Sequence, residues 1–170
     1  PGFVNEAVRG ATRLRRHSRD RSSSPDIATM FQAPPTFLNH EVAPARTFAT
    51  ASLPLADVKQ VAKSLGATFT DIVLTIASGG LRELMLRYDG RADRPLIATV
   101  PISTDTSPNR VDGNEIGGLT VSLPVHVDDP LRRVALVAAA TAAAKQDYEV
   151  LGPTLQGRMM EYLPPALAPA

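Results

Sequence analysis

Proton transfer near neutral pH needs a titratable base, and this chain of 170 residues offers three histidines: His17, His40 and His126. None has a second histidine or a carboxylate at a spacing used by known zinc sites, so no metal centre is expected. His126 stands between two valines, a setting that suits a structural or surface imidazole, and His17 sits among arginines. No Gly-x-Ser-x-Gly elbow, P-loop or Gly-x-Gly-x-x-Gly turn follows any strand the sequence predicts. The chain has no cysteine. That removes thiol nucleophiles, thiolate zinc sites and disulfides together, and makes a reducing compartment the default expectation. Ser, His and Asp are all present, but at these abundances a triad cannot be argued without geometry.

Two other groups could do chemistry of a different kind. In Ala67-Thr-Phe-Thr-Asp-Ile-Val-Leu74, Asp71 falls in the first turn of an otherwise apolar helix. Thr68-x-x-Asp71 has the form of a capping box, with Asp as a shorter partner than Glu or Gln. A plain helix cap and a functional carboxylate are both open at this point. The second group is six arginines, Arg9, Arg13, Arg15, Arg16, Arg19 and Arg21. They read as a solvated helix end, as a contact for an anionic membrane surface, or as a nucleic-acid patch. No aromatic residues are interleaved to stack bases, and a formal net charge of +1 lacks the basic excess of a nucleic-acid binder, so nucleic acid is not expected as a partner.

The elements that would position these groups follow from periodicity. Phe3, Val4, Ala7, Val8, Ala11 and Leu14 mark a first helix. Ser22-Ser-Ser-Pro25, Ala33-Pro-Pro-Thr36 and Ala43-Pro44 then keep the chain extended, because proline removes donors and biases its predecessor toward extended backbone. Residues 1–45 thus read as a helix plus an extended crossover, and 46–170 as an α/β domain. In the second part Arg46–Ala51 alternates like a strand. Ser52 is the expected N-cap of a helix with Pro54 in its first turn, and the stripe Leu55, Val58, Val61, Ala62, Leu65 ends at Gly66. The next helix expects a wide buried face from Ile72, Val73, Ile76, Ala77, Gly80, Leu81, Leu84 and Met85. Gly79-Gly80 in its middle costs roughly 1 kcal/mol per Gly relative to Ala, which a close backbone approach would justify. Leu96–Ile102 reads as a strand buried on both faces with Pro101 at its end, followed by a polar loop from Ser103 to Glu115 and a second strand, Gly118–Leu123. Asp128-Asp-Pro130 opens a last helix running to about Asp147. The longest apolar run, Val134 to Ala144, is interrupted by Thr141 and falls far short of the ~20 residues of a membrane span. The Pro-Gly-Phe start and the apolar tail Leu163-Pro-Pro-Ala-Leu-Ala-Pro-Ala170 lead to the expectation that the chain is part of a longer one.

Five pieces together resemble one family: Pro54-Leu-Ala-Asp-Val-Lys-x-x-Ala62, Gly66-Ala-Thr-x-x-Asp-Ile-Val-Leu74, Pro95-Leu-Ile-Ala-x-Val-Pro-Ile-Ser103, Gly113-Asn114, and Leu123-Pro124 through Asp129-Pro130. It is the bacterial wax ester synthase/acyl-CoA:diacylglycerol acyltransferase family, abundant in actinobacteria. The resemblance covers about Gln32 to Arg133, more weakly on the flanks. It implies an α/β fold of the chloramphenicol-acetyltransferase type, with a mixed sheet flanked by helices and two halves meeting along a tunnel. It also implies a His-His-x-x-x-Asp-Gly motif in the first half, whose second histidine acts as general base. This chain has no His-His pair and corresponds to the region after that motif, so the resemblance implies no catalytic residue within it and no cofactor, with acyl-CoA as a substrate.

The implied function is therefore one portion of an O-acyltransferase that makes triacylglycerol or wax ester from acyl-CoA, as substrate, and diacylglycerol or a long-chain alcohol. The alternative is a non-catalytic lipid- or partner-binding domain of the same fold. Substrate-binding or tunnel-shaping roles are expected for Asn39, Thr70, Asp71, Pro101, Gly113 and Asn114. Where the family carries Asn-Asp, this chain has Thr70-Asp71, and where it carries Asn-Gly, this chain has Asn39-His40. Expected partners are the half bearing His-His-x-x-x-Asp-Gly and an anionic membrane surface met by Arg13, Arg15, Arg16 and Arg19. The expected location is the cytoplasm, on the inner membrane or on lipid droplets where a lipid surface is engaged.

Overall fold

The structure, a computed structural model, describes Thr12, residues 34–39, Glu41, residues 43–103 and residues 116–151. The arginine-bearing first helix and the polar loop after Ser103 lie outside the described residues. The described elements are a 3-10 turn, Phe37–Asn39, then α1 (Leu55–Ser64), α2 (Phe69–Tyr88), β1 (Leu96–Ser103), β2 (Ile116–Leu123) and α3 (Pro130–Leu151). β1 and β2 form a small antiparallel sheet, and with the helices they make the mixed α/β class that the sequence implies. The chain divides into two compact units. One comprises Asp26–Ala98 and Ser122–Thr141, and the other Pro1–Pro25, Thr99–Val121 and Ala142–Ala170. In the second unit, Gly118 brings its backbone against the Thr99 methyl, where a Cβ would stand only 3.0 Å away.

Local chemistry sets the helix ends. Pro54, not Ser52, is the N-cap of α1, and no side chain caps it. Proline has no amide to leave unsatisfied, and its carbonyl accepts from Asp57 N and Val58 N. α1 stops where Gly66 takes φ 64. Ala67 N donates to Ala62 O and Gly66 N to Lys63 O, the paired bonds of a Schellman motif that only an unhindered left-handed residue permits at low cost. α2 starts on the expected capping box, with both reciprocal bonds formed between Thr68 and Asp71. α3 starts with Asp129, whose carboxylate accepts from Leu131 N at 2.9 Å, and with Pro130 in its first turn.

The core gathers at the two ends of α2. Near its start, Ile72 packs with Ala62 of α1 and Val134 of α3. Near its end, Met85 packs with Ala92, Leu96, Leu123 and Val125. Between these clusters α2 and α3 run antiparallel in a register that two contacts define. Thr141 Oγ1 donates to Asp71 Oδ1, and the Arg133 guanidinium lies over Gly79. Each contact is eight residues from the other along both helices, about 12 Å of helical rise, so the two locks agree.

Four expectations need correction. Arg46–Ala51 forms no strand: the segment is exposed, with Phe48 94% accessible, and pairs with no neighbour among the described residues. Alternation supplies propensity, but a strand needs an edge to bond to. Pro101 lies inside β1 at an exposed position, two residues before its end. Gly79 accommodates a side chain, Arg133, in place of a second backbone, and a Cβ on Gly80 would meet nothing within 4 Å. Finally, Val73, Ile76, Ala77, Gly80 and Leu84, expected in the buried face of α2, are exposed.

An ordinary Gly→Ala replacement inside a helix gains about 0.5–1 kcal/mol. Gly79→Ala should gain less, because the Arg133 guanidinium must leave its seat. The full gain should return in an Arg133→Ala background. Urea denaturation of the four members of this cycle measures the difference, and additive effects would show that residues 79 and 133 do not touch.

Candidate functional site

Asp71 is the centre of the best-defined polar cluster. It is 3% exposed, in the first turn of a helix whose free amides favour a carboxylate. Oδ2 accepts from Thr68 N at 2.8 Å, and Asp71 N donates to Thr68 Oγ1 at 3.2 Å. Oδ1 accepts from Thr141 Oγ1 at 2.6 Å, the short length of a hydroxyl donating to a charged oxygen. The Thr141 hydroxyl also lies 3.1 Å from Ala138 O, but its single proton is better placed on the carboxylate. Each oxygen of Asp71 thus accepts a bond from within the protein, and the side chain braces two helices.

The cluster continues along the same side of α2. Thr75 and Ser78 are buried, and each hydroxyl donates to a carbonyl one turn back, Asp71 O and Leu74 O, both at 2.7 Å. Back-bonding of this kind lets a hydroxyl face the interior without an unsatisfied donor. One turn further, Arg82 donates from Nη1 to Val125 O at 3.0 Å, and its Nε lies 3.3 Å from Asp128. Asp128 is 91% exposed, so this ion pair contributes little beyond orientation, and the carbonyl bond holds the Pro124–Val127 turn. Asp71, Thr75, Ser78 and Arg82 therefore make a polar ridge along one side of α2, joined to α3 through Asp71.

The residues singled out from the sequence do not all meet here. Thr70 is the neighbour of Asp71 but is exposed. Asn39 closes the 3-10 turn, its Oδ1 accepting from Thr36 N at 2.9 Å and from Thr36 Oγ1 at 3.3 Å. That turn is fastened to the far end of α2. Phe37 N donates to Asp89 Oδ2 at 3.1 Å, and the Phe37 ring lies 5.2 Å from that of Tyr88. Asp71 and Asp89 are separated by some 27 Å of helix, so Asn39 and Asp71 belong to different places. Gly113, Asn114, Arg13, Arg15, Arg16 and Arg19 lie outside the described residues. A cleft beside Met85 and Asp89 holds 160 Å³, below the ~300 Å³ at which ligand pockets begin. Thr141, Arg82 and Arg133 were not anticipated. The one signal was Thr141 itself, the polar break in the apolar run of α3.

Against known proteins, residues 1–73 match the model of the wax ester synthase/diacylglycerol acyltransferase catalytic domain. Residues 112–170 match that of the C-terminal domain of the same family. Along its whole length the chain is 48% identical to a Mycobacterium tuberculosis protein carrying the provisional name diacylglycerol O-acyltransferase, of which it covers 36%. The chain belongs to the wax ester synthase/diacylglycerol acyltransferase family. It is also 35% identical, over 77% of its length and 28% of the relative, to the O-acyltransferase WSD of Acinetobacter baylyi. The likeness thus runs the full chain and extends well beyond the stretch from Gln32 to Arg133. The chain spans about a third of the length of the curated relatives it matches.

If Asp71 braces α2 against α3, Asp71→Ala should cost about 2–4 kcal/mol, a lost cap together with a buried hydroxyl left unpaired. Thr141→Val should cost roughly 1–3 kcal/mol, and the double variant less than the sum, because the two share one bond. Thermal and chemical denaturation read all three. In the family's complete enzyme, activity should fall with stability. An unchanged melting temperature with activity down about a thousandfold would instead give Asp71 a role in the chemistry.

Proposed function

We propose that this chain is part of an acyl-CoA-dependent O-acyltransferase that makes triacylglycerol or wax ester, using diacylglycerol or a long-chain alcohol as acceptor. The observation that carries this reading is the identity of 48% sustained over all 170 residues with a relative of that name. On this reading the chain supplies part of the wall along which acyl-CoA lies, and the general base comes from a His-His-x-x-x-Asp-Gly motif elsewhere in the polypeptide. This chain contains no adjacent histidines. Its buried carboxylate, Asp71, is engaged in bonds that join two helices. Both facts fit a supporting role.

The reaction itself is simple in outline. A base takes the proton of the acceptor alcohol, the alkoxide oxygen attacks the thioester carbonyl, and CoA leaves as its thiol. General-base assistance of that kind accelerates acyl transfer by roughly 10²–10⁴-fold. The chain described here should therefore transfer no acyl group from palmitoyl-CoA to diacylglycerol or a long-chain alcohol above the buffer rate. A polypeptide that also includes the His-His-x-x-x-Asp-Gly half should do so. Transfer by this chain alone would overturn the division of labour.

The water-insoluble acceptor leads us to place the protein in the cytoplasm at a lipid surface, with Arg13, Arg15, Arg16 and Arg19 as the anionic-lipid contact. Each arginine near such a surface contributes about 1 kcal/mol. Binding should be strong to vesicles containing anionic lipid, weak to neutral ones, and lost at high salt or on replacing these four arginines by glutamine. Equal binding to neutral and anionic vesicles would remove the electrostatic account.

A further inference from the structure

The side of α2 turned away from the core is as apolar as the side turned toward it. Phe69, Val73, Ile76, Gly80 and Leu84 follow at intervals of four, three, four and four, which places them on one ridge. Phe69, Val73, Ile76 and Leu84 are 45%, 44%, 49% and 40% exposed. The ridge extends about 22 Å along the helix. From Phe69 to Leu81 the one ionisable residue is Asp71, and that side chain points inward. A solvated helix face carries charge, and a helix apolar on all sides belongs in the interior of a larger structure or in a membrane.

We infer that this ridge is the surface on which the rest of the polypeptide packs. The inference rests on the reading of this chain as part of a longer acyltransferase. The chain covers 36% of a relative to which it aligns from end to end, so most of a relative's length lies outside it and is available to form the covering layer.

A lipid surface fits less well. Helices that lie in a membrane interface carry lysines and arginines beside their apolar face, and the first three turns of α2 have none. No single described helix is long and apolar enough to cross a membrane; α1 and α2 meet the requirement only as a pair, across a bend of 101°. A glycine at the centre of the ridge also removes apolar area that insertion would need, whereas it assists packing.

The test uses the full-length protein containing this chain, with its other cysteines replaced. Ile76→Cys reports the ridge, and Lys63→Cys on the exposed side of α1 is the control. With a water-soluble maleimide in the absence of lipid, Ile76→Cys should label at least about tenfold more slowly than Lys63→Cys, and at the same rate in urea. Equal labelling of the native protein at both positions overturns the proposal. So does protection that arises only on adding vesicles, which would make lipid the occupant. Protection lost on dilution also overturns it, because the occupant would then be a second copy. Acyl transfer is measured in parallel: a protected Ile76→Cys in a protein that transfers no acyl group would overturn the functional reading while leaving the buried ridge in place.

Discussion

A carboxylate taken out of water must have its lone pairs filled, or it loses more in desolvation than any fold can readily return. Asp71 meets that condition from two directions: a backbone amide at its own helix terminus and the hydroxyl of Thr141 on α3. The first bond is local and would form in an isolated helix. The second joins residues seventy apart and exists only if α3 lies antiparallel to α2 at one register. Once Thr141 is level with Asp71, Arg133 falls level with Gly79 two turns away, the position where α2 has no Cβ to obstruct a guanidinium. The same register puts fully buried Val137 level with Thr75, whose hydroxyl is already satisfied by its own helix. One polar bond thus fixes which small and apolar residues can meet along the seam.

What was legible in the sequence divides along this line between local and distant bonds. The capping box at Thr68 and Asp71, the left-handed stop at Gly66 and the Asp129-Pro130 start of α3 depend on residues within a turn of one another, so spacing alone reveals them. Arg46–Ala51 has the right alternation, but nothing local says whether it will find an edge to bond to, and it joins no strand of the described sheet. Pro101 was placed at a strand end because it lacks a ladder donor. An exposed position inside β1 tolerates that lack equally well. The two glycines of α2 were read alike, yet one faces a side chain and the other open space, a difference set wholly by α3. The partners Thr141, Arg82 and Arg133 lay beyond reach for the same reason.

The apolar outer ridge of α2 marks a subtler limit. Periodicity identified Val73, Ile76 and Leu84 as residues that avoid water, and their exposure here does not change that chemistry. What it changes is the partner. The inner side of α2 combines buried Ile72 and Met85 with Asp71, Thr75 and Ser78, whose side chains are hydrogen-bonded within the protein. The outer side has area to bury and nothing described to bury it against. A chain covering 36% of a relative to which it aligns throughout is where such an imbalance is expected, because domain layers are bonded to each other and not to sequence neighbours alone.

This geometry also bears on the departure at Thr70, where the resemblance implies an asparagine. Thr70 and Asp71 are adjacent, so on a helix their side chains diverge by about 100°. Asp71 points into the seam with α3, and Thr70 points out to the flank that carries the apolar ridge. An amide at position 70 therefore could not take part in the lock between α2 and α3, and its replacement by a hydroxyl leaves that lock whole. Its influence falls instead on whatever layer approaches the outer side of α2. The pair that reads as a single motif in the sequence serves two surfaces, one closed within this chain and one facing outward, and a change at one member need not disturb the other.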